Sequence, residues 1–138
     1  MKLMYTAIAT TSGGGREGHA ETSDGKISLD LSYPSELGGS GKGTNPEQLV
    51  ALGYSACFGN ALALVARRRH FDPAKASTTC QTHLHATDDG YALTFEIIVD
   101  LPGVPRDQAE AVVAEAHALC PYSRAFAHGA QSTARLKD

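Results

Sequence analysis

The sequence predicts an α+β fold in which helices lie against antiparallel sheets. Short alternating segments such as residues 27–31 are typical of strands. Two longer segments, beginning near Pro46 and Pro105, repeat apolar residues at three- and four-residue intervals, as helices do. Tight turn signals such as Asp24-Gly25 favour antiparallel neighbours. The predicted order is β-β-β-α-β-β-α-α-β, within one domain that covers residues 1–138.

The N-terminal part is predicted to form three strands. Residues 5–10 alternate, residues 19–23 are extended, and residues 27–31 alternate again after a hairpin turn. Gly13-Gly14-Gly15 breaks the first strand, because glycine adopts backbone conformations that strands do not use. A glycine-rich loop over residues 34–43 follows the third strand.

The first helix has a clear start signal. Asn45 is a good N-cap, Pro46 suits the first helical position, and Gln48 completes a pattern resembling a capping box. We expect the helix to end near His70, before Asp72-Pro73. The three- and four-residue spacing predicts a buried face made of Leu49, Leu52, Gly53, Ala56, Cys57, Asn60, Ala61 and Leu64.

The C-terminal part is predicted to contain a hairpin, two helices and a last strand. The hairpin strands are residues 80–86 and 91–101, joined by a turn at Asp88-Asp89-Gly90. A short helix over residues 122–128 closes at a glycine, and residues 132–136 alternate as a final strand. The helix that begins near Pro105 has a predicted buried face of Ala109, Val112, Val113, Ala116 and Leu119.

Composition excludes several classes of protein. The chain has 138 residues and a formal net charge of −3, which argues against nucleic acid or an anionic membrane as the main partner. No apolar run approaches the roughly 20 residues of a transmembrane helix, and the N-terminus lacks the apolar segment of a signal peptide. We therefore expect a cytoplasmic protein. The basic run Arg67-Arg68-Arg69 is interpreted as charge that favours a helix C-terminus.

Three cysteines are present, an odd number that excludes a full disulfide framework within one chain. Cys57 lies in an apolar helical pattern, and Cys120 lies 63 positions later, where a helical pattern breaks. A buried thiol pair in a reducing compartment indicates redox chemistry, although a single buried cysteine is often only a small apolar residue. We assign no role to Cys80.

A nucleophilic cysteine must be a thiolate, and burial opposes that charge. Arg16, on the glycine-rich loop, is the candidate cation that would favour the thiolate of Cys57. Glu47 is ten residues from Cys57 on the predicted helix, roughly 15 Å along its axis, so direct contact is excluded. Two interpretations of Glu47 stay open on these residues: it holds Arg16 through a bidentate ion pair, or it is only a favourable charge in the first turn of the helix. Cys120 precedes Pro121, so its sulfur is expected to face the free N–H groups that begin the third helix.

Several segments together resemble one known family. They are Gly38-Gly39, residues 43–49 (Gly-Thr-Asn-Pro-Glu-Gln-Leu), residues 53–58 (Gly-Tyr-Ser-Ala-Cys-Phe) and residues 120–123 (Cys-Pro-Tyr-Ser). The set is similar to the OsmC/Ohr family, and is closest to its organic hydroperoxide resistance branch. Tyr5-Thr6-Ala7, Gly14-Gly15-Arg16 and Asp24-Gly25 also fit that branch, so the resemblance covers nearly the whole chain.

This resemblance implies a thiol peroxidase that acts on organic hydroperoxides. Cys57 matches the peroxidatic cysteine and Cys120 the resolving cysteine, whereas Arg16 matches the arginine that stabilises the thiolate and binds peroxide. Glu47 matches the glutamate that orients this arginine. The family fold is an intertwined homodimer, its reductant is a lipoylated protein or dihydrolipoamide, and it needs no metal or other cofactor. The mechanism we expect is a Cys57 sulfenic acid followed by a Cys57–Cys120 disulfide.

The substrate preference is expected to come from apolar neighbours of the thiols. An alkyl or acyl tail would favour organic peroxides over hydrogen peroxide, which has no tail to bury. The side chains predicted to hold that tail are Leu49, Phe58, Val112 and Tyr122, although each of them also suits an ordinary core.

Three alternatives stay open on the sequence. The osmotically inducible (OsmC) branch shares the chemistry and differs in substrate range. A metal-binding module would use His83, His85 and His117, but their spacing fits no compact zinc motif. A non-catalytic protein that binds apolar ligands is the third alternative, and retention of both cysteines with Arg16 and Glu47 argues against it.

Overall fold

The structure is a computed structural model that describes residues 1–138. It divides into two compact units, residues 1–49 and residues 50–138, which are described separately below. A long helix crosses the boundary between them. The predicted α+β class is confirmed, because the chain forms antiparallel sheets and three α-helices, with two short 3-10 helices at Gly15–Glu17 and Ser35–Leu37. The assignment of a single domain stays a prediction.

The N-terminal unit contains an antiparallel sheet with the order β1-β2-β3. Its strands are β1 (Ala9–Ser12), β2 (His19–Thr22) and β3 (Ser28–Asp30). The prediction of a strand over residues 5–10 was wrong, since β1 begins only at Ala9. The reason is that β2 ends at Thr22, where the chain turns towards β3, so residues before position 8 have no neighbouring strand to pair with.

Helix α1 (Pro46–Arg68) begins as predicted. The side-chain oxygen of Asn45 accepts a hydrogen bond of 2.9 Å from the backbone N–H of Gln48, as an N-cap does. The capping box was wrong, because the side chain of Gln48 accepts from the Thr44 hydroxyl at 2.8 Å. The helix ends two residues before the expected position, and His70 adopts a left-handed φ of 63° that turns the chain away.

The buried face of α1 differs from the predicted one. Leu52 is 66% exposed and Leu64 40% exposed, although both were predicted to be buried. The helix is apolar on nearly all sides, so the periodicity of its apolar residues does not determine which face the core buries. The residues that the fold buries on α1 are Tyr54, Phe58, Ala61, Leu62, Val65 and Ala66.

The same apolar composition corrects a second expectation. Helix α1 is long and apolar enough to cross a membrane by length and hydropathy, whereas the sequence analysis found no such run. A core helix of a globular fold meets the same criteria. In this chain the helix supplies six residues to the core of the C-terminal unit, and we interpret it as a core helix.

The C-terminal unit combines a two-stranded antiparallel sheet with helices. The elements are β4 (Ser77–Thr87), β5 (Gly90–Asp100), α2 (Arg106–Leu119) and α3 (Pro121–His128). The final strand predicted over residues 132–136 was wrong, because residues 129–138 are exposed and without regular structure. No other strand of the chain pairs with this segment, and an extended segment without a neighbour gains no ladder hydrogen bonds.

One hydrophobic core joins α1, α2 and the hairpin of β4 and β5. Val112 and Ala116 of α2 are fully buried as predicted, and Ala109 and Val113 pack partly against them. Leu119 is 39% exposed, so its predicted burial was wrong. It lies in the last turn of α2, next to the junction with α3. Cys120, the next residue, is fully buried in this core.

Candidate active site

The structure brings Cys57 and Cys120 into contact. Cys57 projects from the middle of α1, and Cys120 occupies the junction between α2 and α3. Their sulfur atoms are 3.5 Å apart, and both residues are free thiols. Cys120 is fully buried, whereas Cys57 is half-buried. The arrangement gives one accessible thiol with a second thiol immediately behind it.

Two opposing effects act on Cys57 within this unit. Burial raises the pKa of its thiol, because a low-dielectric environment disfavours the thiolate. The backbone N–H of Tyr122, at the start of α3, hydrogen-bonds to the sulfur and lowers the pKa, but burial is the larger effect. Cys57 therefore has a thiol pKa above its ordinary value, and a positive charge close to the sulfur would favour the thiolate.

The position of α3 corrects one expectation. Cys120 is the N-cap residue of α3 through its backbone, but its side chain makes no capping hydrogen bond. The backbone N–H of Tyr122 in α3 acts on Cys57 and lowers the pKa of that thiol. The helix terminus therefore favours the thiolate of the more accessible cysteine.

A buried polar contact beside the thiols was missed by the sequence analysis. The Tyr54 hydroxyl lies 2.9 Å from Oγ of Ser123, and these residues are only 3% and 1% exposed. The two residues are 69 positions apart, so no local pattern could pair them. The available signal was their equal spacing of three residues from Cys57 and Cys120 within the two cysteine motifs.

Aromatic packing supports the same junction. The ring of Tyr54 contacts the rings of Phe95, Tyr122 and Phe126, with centroids 5.2 to 6.0 Å apart. Gly53 permits the close approach of Tyr122, because an added Cβ would lie 2.9 Å from the Tyr122 hydroxyl oxygen. The glycine in this motif therefore serves packing between α1 and α3.

In the N-terminal unit, Arg16 and Glu47 form a bidentate ion pair, which is one of the two interpretations that the sequence left open for Glu47. The two guanidinium N–H groups donate to the two carboxylate oxygens at 2.9 and 2.5 Å. The side chains are 28% and 17% exposed. The hydrogen bond that Arg16 donates lowers the pKa of Glu47, and the same interaction raises the pKa of Arg16. Both groups are therefore charged throughout the physiological range.

The surroundings of Arg16 explain how its loop folds. Gly13, Gly14 and Gly15 have φ values of 76°, 95° and 64°, a left-handed run that residues with a Cβ rarely adopt. Arg16 follows directly, and its guanidinium carbon lies 5.6 Å from the centre of the Tyr33 ring, a cation–π distance. The glycine run thus directs the arginine towards Glu47. Its action on Cys57 stays a prediction.

The four predicted tail-binding residues have different environments. Phe58 and Val112 are fully buried in the core, Leu49 is half-buried, and Tyr122 is partly exposed. None of these four residues lines the cavity of about 740 Å³ between β5 and α2, whose walls include Val99, Leu101, Val104, Val113 and His117. Their role in substrate binding stays a prediction.

The remaining polar residues favour no metal site. The chain contains no group of three or more histidine, cysteine, aspartate or glutamate residues placed to hold a metal ion. His83 and His85 share a face of β4 with ring centres 6.2 Å apart, and His85 is within 2.8 Å of the Thr94 hydroxyl. Cys80 is half-buried, and its sulfur lies 3.7 Å from the Thr82 hydroxyl.

One of the three consecutive arginines has a structural partner. Arg69 donates from two nitrogens to one oxygen of Glu115, at 3.0 and 2.9 Å, and so links the end of α1 to α2. The side chains are 43% and 42% exposed, and such pairs contribute little to stability. This contact accounts for Arg69 without any catalytic role.

The sequence of this chain is similar to those of known proteins. Residues 39–135 match the family described as OsmC-like protein. The organic hydroperoxide resistance protein of Xanthomonas axonopodis pv. citri is 41% identical over 126 residues, covering 90% of this chain and 88% of its own. The organic hydroperoxide resistance protein OhrB of Bacillus subtilis is 35% identical over 123 residues, covering 88% of this chain and 90% of its own.

Solved structures of proteins from the same family superpose well on this chain. An organic hydroperoxide resistance protein from Legionella pneumophila superposes with a TM-score of 0.86 at 45% identity, over 93% of both chains. One from Elizabethkingia anophelis gives a TM-score of 0.87 at 36% identity, over 93% of this chain and 92% of its own. By family match, identity and coverage, the chain belongs to the OsmC family, in its organic hydroperoxide resistance branch.

Proposed function

We propose that this protein is a thiol peroxidase that reduces organic hydroperoxides to alcohols. The observation that carries the proposal is the 3.5 Å contact between the sulfurs of Cys57 and Cys120, one half-buried and the other fully buried. A substrate can approach the first thiol, and the second is already within reach of its oxidised product. Membership of the organic hydroperoxide resistance branch supports the same activity.

The proposed reaction has three steps. The Cys57 thiolate attacks the O–O bond of the hydroperoxide, the alkoxide leaves and takes a proton as the alcohol, and Cys57 becomes a sulfenic acid. The Cys120 thiol then attacks that sulfur, which forms the disulfide and releases water. A dithiol reduces the disulfide by exchange, restores both thiols and becomes a disulfide itself.

Arg16 is proposed to favour the Cys57 thiolate and to bind the peroxide, with Glu47 orienting the guanidinium. The bidentate Arg16–Glu47 pair and the raised pKa of the Cys57 thiol support this assignment, because the thiol needs a cation and the pair holds one ready. The arginine role also follows from the family resemblance of the Gly14-Gly15-Arg16 segment.

We propose alkyl and fatty-acid hydroperoxides as substrates, with Leu49, Phe58, Val112 and Tyr122 contributing apolar surface to the tail. Tyr122 is the best supported of the four residues. Its ring is partly exposed, and its backbone N–H contacts the sulfur of Cys57. A substrate that reaches the sulfur would therefore meet this ring.

The physiological reductant is proposed to be a lipoyl dithiol, on a lipoylated protein or as dihydrolipoamide, in the cytoplasm. No resident metal or cofactor takes part in the proposed chemistry, since thiols carry every electron. A vicinal dithiol suits the final step, because its second thiol closes a ring and releases the protein from the mixed disulfide.

We further propose that the protein acts as a homodimer. Both outer edges of the two-stranded β4–β5 sheet lack a neighbour, and two-stranded sheets are marginal by themselves. Large apolar side chains remain exposed on this unit, including Leu52 of α1 and Tyr91 and Leu93 of β5. A second copy would cover these surfaces. Light scattering on the eluting chromatographic peak would test this, and a mass of 14.5 kDa would contradict it.

The deciding experiment measures consumption of tert-butyl hydroperoxide and a fatty-acid hydroperoxide by the reduced protein. Dihydrolipoamide, glutathione and a thioredoxin system are compared as reductants, alongside Cys57→Ser and Cys120→Ser, with Cys80→Ser as the matched control. We expect turnover with dihydrolipoamide, none in Cys57→Ser, and full turnover in Cys80→Ser.

Other outcomes would change the proposal. No turnover with any dithiol, from protein whose thiols titrate normally, would contradict the peroxidase and favour a protein that binds apolar ligands. In that case ligand binding would survive in Cys57→Ser. Hydrogen peroxide is assayed as a third substrate, and rates with it equal to those with the fatty-acid hydroperoxide would contradict the tail preference.

A further inference from the structure

The hydroxyl groups of Tyr54 and Ser123 form a polar contact inside the hydrophobic core. These hydroxyl groups lie 2.9 Å apart among apolar neighbours, with almost no exposure to water. A hydrogen bond between neutral groups contributes a net stabilisation of only about 1 kcal/mol, and replacing both groups with apolar ones of similar shape is often nearly neutral. Stability alone therefore gives little reason for two hydroxyls at this position.

The contact lies one helical turn from the thiol pair on both sides. Tyr54 precedes Cys57 by three residues on α1, and Ser123 follows Cys120 by three residues on α3. Three residues rise about 4.5 Å in a helix. Any change in the separation of α1 and α3 at this contact is therefore passed to the two sulfurs.

We propose that the Tyr54–Ser123 hydrogen bond is a positioning contact that holds the sulfurs of Cys57 and Cys120 together and so sets how readily they form a disulfide. The inference rests on the proposed function, in which that disulfide is an intermediate. The two residues touch neither substrate nor the reacting atoms, so they are positioning residues. They act by keeping the reduced thiols at high effective concentration, which favours ring closure.

The chemical step that the contact assists is condensation. Cys120 sulfur attacks Cys57 sulfur, the S–O bond of the sulfenic acid breaks, and hydroxide leaves with the thiol proton as water. When the two helices separate by even a fraction of an ångström, the thiols spend less time in contact. We therefore expect slower condensation and a disulfide that is easier to reduce.

The surrounding aromatic rings allow the hydroxyl to be tested separately. Tyr54→Phe removes only the hydroxyl, because its ring keeps its contacts with Phe95 and Phe126. Ser123→Ala removes the partner. Ser55→Ala is the matched control, because it also deletes a hydroxyl from α1 and lies closer in sequence to Cys57. The hydroxyl of Ser55 bonds only to the Leu52 carbonyl, at 3.0 Å.

The experiment equilibrates the full-length protein with mixtures of reduced and oxidised dithiothreitol and counts free thiols by alkylation and mass spectrometry. We expect Tyr54→Phe and Ser123→Ala each to lower the equilibrium constant for the disulfide about tenfold, a potential about 30 mV less negative. The double variant should show the same tenfold shift, because both substitutions delete one bond. Ser55→Ala should stay within about twofold of the unchanged protein.

A second readout follows the sulfenic acid itself. After one equivalent of tert-butyl hydroperoxide, labelling of Cys57 by a sulfenic-acid probe should increase in Tyr54→Phe, because condensation is slower. A variant that loses stability to urea but keeps the equilibrium constant and the labelling unchanged would overturn the proposal and leave only a structural contact. Additive shifts in the double variant would also overturn it.

The dithiothreitol equilibrium requires no peroxide, so it separates this inference from the proposed function. A protein without peroxidase activity that still shows the tenfold shift would overturn the function and keep the positioning contact. If Ser123→Ala fails to fold, Tyr54→Phe decides alone. In that variant the remaining hydroxyl of Ser123 can bond the carbonyl of Cys120 one turn back, so little folding energy is lost.

Discussion

The ion pair between Arg16 and Glu47 allows a quantitative test of how the proposed catalytic arginine is held. Its two charge-assisted hydrogen bonds, at 2.9 and 2.5 Å, and side-chain exposures of 28% and 17% place it between a surface pair and a buried pair. Exposed pairs contribute up to about 1 kcal/mol, and breaking a buried pair costs about 3–5 kcal/mol. We expect a coupling free energy of about 1.5 kcal/mol.

The assay is a double-mutant cycle with Arg16→Met, Glu47→Gln and the combined variant, each unfolded in urea at pH 7. The coupling free energy from the cycle excludes the stability that each single substitution loses through contacts outside the pair. The pair Arg106–Glu110 on α2, exposed and at i,i+4 spacing, is the matched control, and its coupling should be about 0.3 kcal/mol. A coupling below about 0.5 kcal/mol for Arg16 and Glu47 would refute the reasoning from burial and geometry.

The lowered pKa of Glu47 determines how the coupling free energy of the Arg16–Glu47 pair should change with pH. The pKa of Glu47 is lowered in the folded protein by its hydrogen bond from Arg16. Its stabilisation is therefore fully present above the unfolded pKa of about 4.3 and is lost as the pH falls through the lower folded pKa. The coupling measured at pH 7 should persist at pH 5 and decrease below about pH 4. A coupling that grows as the pH falls would contradict this assignment.

Three further predictions concern packing and reactivity. Val112→Ala should lower the free energy of unfolding in urea by about 2 kcal/mol, because it removes two fully buried methyl groups. Gly39→Ala should cost about 2 kcal/mol in the same assay, since an added Cβ would overlap the Tyr33 carbonyl oxygen. Burial raises the pKa of the Cys57 thiol, and Arg16→Met removes the cation that is proposed to oppose this effect. In this variant the rate of Cys57 alkylation by iodoacetamide should therefore keep rising above about pH 9. The unchanged protein should reach its plateau at lower pH, and identical pH profiles would contradict the proposed role of the arginine.

The parts of the fold that were predicted correctly depend on local chemistry. The start of α1 follows from Asn45 and Pro46, whose capping and fixed φ act within one turn. The hairpin of β4 and β5 follows from alternation and the Asp88-Asp89-Gly90 turn. The buried face of α1 and the two terminal strands were wrong because they depend on neighbours distant in sequence. Leu52 and Leu64 are as apolar as the residues that the core selected.

The candidate site likewise has residues that the sequence indicates and contacts that only the folded chain shows. The sequence identified Cys57, Cys120, Arg16 and Glu47 through the family resemblance, and the structure brings them together as two separate pairs. It could not identify the Tyr54 contact with its serine partner, because a hydrogen bond across 69 positions leaves no periodic trace. It also predicted that the sulfur of Cys120 would face the start of α3, whereas that side chain makes no capping hydrogen bond and the N–H of Tyr122 acts on Cys57.

Burial and the backbone N–H of Tyr122 together set the pKa of the Cys57 thiol, and this pKa bears on when the proposed enzyme is reactive. Burial raises the pKa of the thiol, and a single backbone N–H from Tyr122 does not reverse this. A thiol in that state is mostly protonated at neutral pH and reacts slowly with stray oxidants. In the mechanism proposed above, the positive charge that favours the Cys57 thiolate is supplied by Arg16, whose loop depends on three consecutive left-handed glycines. If that proposal holds, removing the arginine should leave a thiol that stays protonated at neutral pH, and the shifted alkylation profile of Arg16→Met is the measurement that decides it.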